Sequence, residues 1–156
     1  MNSKDQKPVV KDLTSKVQKA GITLTSLGND AYKKTYGLKY AYISGAMVRG
    51  IASTAMVIAM GKSGMMGYFG TGGLDMSTIE SAIKDIQAEL GEKPYGMNFL
   101  HNAVNPDAEE SLTDLLLKYH VNNIEAAAFM GMTPALVRYK LAGLTRSSDE
   151  IGRAHV

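Results

Sequence analysis

The 156-residue chain has no cysteine and no tryptophan, only four prolines, and no long unbroken apolar run. Without cysteine, disulfides, thiolate metal sites and a cysteine nucleophile are excluded. The same absence suits a reducing compartment, and the expected location is the cytoplasm. The most apolar stretch, residues 51–66, is interrupted by Gly61, Lys62, Ser63 and Gly64. It falls short of the roughly 20 residues that span a bilayer. The first twenty residues carry Lys4, Lys7, Lys11, Lys16 and Lys19 and no apolar segment, so they do not read as a secretory signal. A surplus of one charge is missing as well. Seventeen basic residues against fifteen acidic ones leave a net +2, too little to point to nucleic acid or an anionic membrane. No two of the three histidines have ligand spacing, so no metal site is expected.

What is present is a regular alternation. Asn29 opens a short helix that Gly37 stops in the manner of a left-handed C-terminal residue. Tyr40-Ala41-Tyr42-Ile43 is a β-prone run ending in Ser44-Gly45-Ala46. Ser53 caps a helix to Lys62, with Ala55, Ile58 and Ala59 on the face expected to be buried. Met65-Met66-Gly67-Tyr68-Phe69 is a second strand, closed by Gly70-Thr71-Gly72-Gly73. Ser77-Thr78-Ile79-Glu80 has capping-box spacing, and Ile79, Ala82, Ile83, Ile86 and Leu90 follow at helical spacing until Gly91. Residues 95–100 form a third strand candidate. Asn105-Pro106 opens the next helix, whose stripe is Leu112, Leu115, Leu116 and Tyr119. Residues 121–128 make a fourth strand, and Thr133-Pro134 caps a last helix expected to reach Leu141 and stop at Gly143.

Four βα units of roughly thirty residues imply a parallel sheet with right-handed crossovers. Two architectures fit. One is the first half of a (β/α)8 TIM barrel, which in full needs about 250 residues. The other is a small flavodoxin-like binding module without catalysis. In both, a site lies beyond the carboxyl ends of the strands. Those ends are small or glycine-rich after the first two strands, and they place Asn98 and Glu125 where a strand otherwise reads apolar. The glycine run 70–73 has neither the Lys-Ser/Thr of a Walker loop nor the third glycine of a dinucleotide fingerprint.

Leu27-Gly28-Asn29, Tyr36-Gly37, residues 40–47 (YAYISGAM), Gly50-Ile51-Ala52-Ser53, residues 57–70 (VIAMGKSGMMGYFG), Tyr95-Gly96-Met97-Asn98, residues 121–129 (VNNIEAAAF) and Leu136-Val137-Arg138-Tyr139 recur in order with family-like spacing. In these segments the chain resembles the PfaD family, the trans-acting FMN-dependent enoyl reductases of polyunsaturated-fatty-acid and polyketide synthases, in the nitronate monooxygenase (2-nitropropane dioxygenase) superfamily. The resemblance implies an FMN-binding TIM barrel. It implies that Gly45, Ala46 and Met47 lie against the flavin, that Gly70 and Asn98 contact it, and that Glu125 and Ala127 face the same pocket. The implied reaction is reduction of an enoyl thioester on an acyl carrier protein, with NADPH as reductant; the related alternative is nitronate monooxygenase activity. The family's acid–base histidine and FMN phosphate loops come later in the barrel, so no catalytic residue is expected here and the chain alone is expected to be inactive.

The expected organisation is a flexible leader at 1–26, the N-terminal half-barrel at 27–145 and a non-native tail at 146–156. Ile151-Gly152-Arg153-Ala154-His155-Val156 reads as one frame of a common sequencing adapter, which gives His155 no functional role.

Overall fold

The computed structural model describes residue 16 and residues 20–142. Gly143 and the tail expected at 146–156 lie outside them, as does most of the expected leader. The chain divides into two compact units, one ending at Ala41 and one beginning at Tyr42.

In the first unit a 3₁₀ helix, Leu24–Ser26, is closed by a reciprocal cap between Thr23 and Ser26. Helix α1 (Asp30–Tyr36) starts on the Asn29 side chain, which accepts the Tyr32 N–H, and ends at Gly37 with φ +65°. Both ends agree with the sequence reading. The Lys33 ammonium is nearly buried, donates to the Thr25 carbonyl at 2.6 Å and pairs with Asp30 at 2.7 Å.

The second unit runs β1 (Ile43–Ser44), α2 (Thr54–Lys62), β2 (Met66–Phe69), α3 (Met76–Leu90), β3 (Gly96–Leu100), α4 (Pro106–Lys118), β4 (Ile124–Ala127) and α5 (Pro134–Ala142). All strand pairs are parallel, and the strand order is β1-β2-β3-β4. This order separates the two architectures left open by counting. A flavodoxin-like sheet reverses direction and lies in the order 2-1-3, with helices on both faces. Here each strand sits beside its predecessor, and each helix from α2 to α5 packs on the next, in one layer. The unit is an α/β half-barrel.

The core lies between that layer and one face of the sheet. Phe69, Met97 and Phe99 pack with Val57, Ile79, Ile83, Ile86 and Leu116, all nearly inaccessible to solvent. Because side chains alternate along a strand, Tyr68, Asn98, Leu100, Glu125 and Ala127 face the other way, toward the barrel interior. Gly96 belongs to that interior face: the Tyr68 ring lies over it, 2.1 Å from where a Cβ would stand.

Two helix readings need correction. The buried positions of α2 are Val57 and Gly61, whereas Ala55 and Ala59 are exposed. The reason is steric. A Cβ on Gly61 would stand 2.7 Å from Leu90 Cδ1, so this glycine leaves the room that the Leu90 side chain of α3 fills. Helix α3 begins earlier than expected, capped by Asp75 and not Ser77. The Asp75 carboxylate accepts from the Thr78 N–H, the Thr78 hydroxyl and the Ser77 hydroxyl, which a serine at the cap cannot match. Those bonds hold its pKa down at about 2. The five-residue stripe of α3 is buried as read.

Candidate functional site at the carboxyl ends of the strands

The β1–α2 loop folds over the β2–α3 loop. Arg49 N–H donates to the Gly72 carbonyl (2.7 Å), Gly50 N–H to the Gly70 carbonyl (3.0 Å), and Gly70 N–H to the Ala52 carbonyl (3.1 Å). Gly70 makes this possible. It is buried, and a Cβ there would overlap the Met47 carbonyl oxygen at 1.6 Å. The structure therefore places Gly70 beneath the first loop, and the backbone of that loop above it.

A polar circuit joins all four strand ends. The buried Thr71 hydroxyl donates to the Asn98 carbonyl at 2.8 Å. The Asn98 side-chain amide donates to the Glu125 carbonyl at 3.1 Å, in register with it across β3 and β4. The Glu125 carboxylate then accepts the Ala46 N–H at 2.6 Å, although β4 and β1 are the two edges of the sheet. Three strand spacings of about 4.8 Å separate such edges in a flat sheet, well beyond a glutamate's reach, so the contact itself reports the curvature. Gly45 sits under the same carboxylate: a Cβ there would be 3.4 Å from Glu125 Oε1. Gly45 and Met47 are exposed, and Ala46, Glu125 and Ala127 half-buried. The structure thus brings Gly45, Ala46, Asn98 and Glu125 together at one end of the interior, with Ala127 on the same face. Just past it, Ala128 holds φ +63°, a left-handed conformation that is uncommon outside glycine.

The sequence reading missed Glu109. Its carboxylate is 4% exposed and accepts from the Asn102 N–H at 2.7 Å and the Thr133 hydroxyl at 2.9 Å, with His101 Nδ1 at 2.7 Å. Burial alone raises its pKa; these bonds and the His101 imidazole outweigh it and hold the group below the ordinary glutamate range. His101 also stacks beside Phe129, ring centroids 5.1 Å apart, on the helix side of the sheet. Glu109 thus ties the β3–α4 loop to the β4–α5 loop. Cavities of about 320 and 400 Å³ flank it. No described helix is long and apolar enough to cross a membrane.

No protein-family model matches the chain. Individual relatives do. The polyketide biosynthesis protein PksE of Bacillus subtilis is 49% identical over 131 residues, 83% of this chain and 17% of that protein. ThaF, a polyketide biosynthesis protein of Burkholderia thailandensis, is 51% identical over 124 residues, 79% of this chain and 10% of that protein. A polyunsaturated fatty acid synthase polypeptide of Thraustochytrium is 43% identical over 127 residues, 81% of this chain and 8% of that protein. The chain therefore spans 17% or less of these relatives' length. Among solved structures, the enoyl reductase domain of MlnA, from the macrolactin biosynthesis cluster of Bacillus amyloliquefaciens, matches at TM-score 0.80 and 38% identity over 85% of this chain and 31% of that one. FabK of Thermotoga maritima shares the fold at TM-score 0.55 and 18% identity, over 64% of this chain and 30% of that one. Relatives and fold agree: the chain fits the PfaD-like enoyl reductase family, as four βα units of an α/β half-barrel.

Proposed function

We propose that this chain forms part of the flavin-binding wall of an FMN-dependent enoyl reductase. That enzyme acts on enoyl thioesters carried by an acyl carrier protein of a polyketide or polyunsaturated fatty acid synthase, in the cytoplasm, with NADPH as reductant. The carrying observation is the interior end of the sheet: small residues and one backbone loop meet Asn98 and Glu125 there, at the end of the barrel where such enzymes work.

The residues fit a flavin. A flat ring needs close approach to backbone, and Gly45, Ala46 and Ala127 carry no bulk that blocks it. Met47 stands in the β1–α2 loop, Asn98 and Glu125 supply polar atoms beside it, and Gly70 sets the loop's height. When bound, FMN supplies the hydride that reaches the β-carbon of the enoyl group. The protein's share is orientation: the circuit from Thr71 through Asn98 and Glu125 to Ala46 fixes the wall before a ligand arrives. No described residue is assigned as the catalytic acid.

A chimera tests this. The chain replaces the matching stretch of the MlnA enoyl reductase domain, and the purified product is examined for flavin absorbance and for crotonyl-thioester-dependent NADPH oxidation. A yellow, thioester-active chimera is expected. A colourless one, or one that oxidises nitronates and leaves thioesters untouched, refutes the assignment.

A further inference from the structure

His101 and Glu109 form a pair that the flavin wall does not use. The Glu109 carboxylate is buried and ionised, its pKa held below the ordinary glutamate range. His101 Nδ1, 2.7 Å from it, must therefore carry the proton between them, which leaves Nε2 of the neutral ring as an acceptor. No described residue bonds Nε2, and the side chain is 27% exposed, so this nitrogen is open to a ligand. The ring is held in place by Phe129 beside it and by the His101 N–H, which donates to the Ala127 carbonyl at 2.9 Å.

The cavity of about 320 Å³ that His101 lines supplies the complement. Leu74, Ile79 and Leu112 give it an apolar lining, and Gly72 and Gly73 border it. These glycines occupy a turn closed by the Leu74 N–H on the Thr71 carbonyl at 3.1 Å, and their own N–H groups donate to no described acceptor. An acceptor nitrogen, two backbone donors and an apolar lining match a secondary amide on a flexible apolar stem, which brings one N–H and one carbonyl. We propose that this cavity holds the pantetheine arm of the carrier-borne thioester, with an amide N–H on His101 Nε2 and the amide carbonyl on the Gly72–Gly73 turn. This rests on the enoyl reductase reading and adds to it a subsite for the arm. Thr71 lines the cavity and also donates to the Asn98 carbonyl, so the subsite adjoins the end of the barrel where the acyl group reacts.

The test titrates the 156-residue chain with pantetheine and follows the backbone amide NMR shifts of Gly72, Gly73 and Asn102. Saturable shifts are expected there, with nuclear Overhauser contacts from the pantetheine methyls to Ile79 and Leu112. Two variants separate reading the arm from clamping the loops. His101→Asn puts an amide N–H where Nδ1 stands, which keeps the Glu109 bond and deletes the Nε2 acceptor. It is expected to bind pantetheine about fivefold more weakly, the scale of one neutral hydrogen bond. His101→Gln puts its amide oxygen where Nε2 stands and gives up the Glu109 bond. It is expected to bind within about twofold of wild type, although it unfolds at lower urea. A purely structural histidine gives the inverse order, with glutamine losing affinity and asparagine keeping it. That inversion overturns the proposal. So does an absence of shifts or methyl contacts with wild type, which decides the matter if a variant fails to fold. Equally tight binding of N-acetylalanine methylamide, which has the amides without the stem, overturns it too. None of these outcomes bears on the enoyl reductase reading, which the chimera tests by itself.

Discussion

Gly70→Ala probes whether the β1–α2 loop is held by the glycine beneath it. The new Cβ would stand 1.6 Å from the Met47 carbonyl oxygen, 2.5 Å from its carbon and 3.2 Å from its nitrogen. Ordinary contact between heavy atoms lies near 3.5 Å, so the Met47 carbonyl has to retreat by roughly 1.5–2 Å. That carbonyl accepts the Ala52 N–H, and its loop makes the Gly50–Gly70, Gly70–Ala52 and Arg49–Gly72 bonds. Overpacking of this kind costs about 1–3 kcal/mol. Loosening four backbone bonds, at roughly 0.5–1.5 kcal/mol each, adds a share of the same size. Alanine returns about 0.4–1 kcal/mol by restricting the unfolded chain. The net expectation is a loss of about 2–5 kcal/mol. With a urea slope of about 2 kcal/mol per molar, the unfolding midpoint falls by roughly 1–2.5 M. Urea unfolding followed by far-UV circular dichroism measures it, and hydrogen exchange at the Ala46 amide should accelerate because the shifted loop leaves Glu125. An unchanged midpoint with unchanged Ala46 exchange would refute the packing argument; Gly70 would then have to be read as open floor for a ligand.

Three further changes test other parts of the fold. Glu109→Gln removes the buried charge that serves Asn102, Thr133 and His101, and should cost about 2–4 kcal/mol at pH 7. Since the folded-state pKa of Glu109 is depressed, its contribution is complete above the ordinary glutamate range and drains away as pH falls through and below it, so the gap between wild type and variant should narrow in acid unfolding series. The Asp75 cap behaves with the same sign: the wild-type melting temperature should fall as pH drops from 4 toward about 2, and Asp75→Asn should flatten that slope. Thr71→Val deletes the buried hydroxyl that donates to the Asn98 carbonyl, and chemical denaturation should report about 1 kcal/mol less stability.

Much of the fold was legible because its signals are local. The α3 stripe from Ile79 to Leu90 is periodic and fully buried; Gly37 and Ser53 mark helix ends by conformational preference and capping. The errors share a cause. Hydrophobic periodicity measures how much apolar surface a position can bury, and Gly61 buries almost none of its own. Its role is to let Leu90 approach, which only the α2–α3 contact reveals. Asp75 was passed over because two cap-type residues, Asp75 and Ser77, stand two positions apart, and the choice depends on how many donors converge on each. Strand order was not legible either. Four βα units permit two sheets, and it is the pairing of β1 with β2 alone that excludes the doubly wound one.

The site divides along a similar line. Asn98 and Glu125 stand out in sequence because each puts a polar group where a strand should be apolar, and the interior face is where the structure finds them. Glu109 carries no such contrast, since a first-turn acidic residue on a helix is ordinary. The signal that marks it is phase. Glu109 lies three residues before Leu112 and seven before Leu116, on the stripe that buries both. A carboxylate on that stripe must be satisfied by something other than water. His101, at the strand end that precedes the same helix, and Thr133, at the cap of the next one, are the polar groups the βα order brings within reach. A charged residue in register with a helix's buried face thus predicts a clamp between neighbouring loops, as a polar residue on a strand's interior face predicts a ligand-facing wall. The two belong to opposite sides of one sheet, which is why Glu109 secures the rim from the helix side while Glu125 shapes the interior.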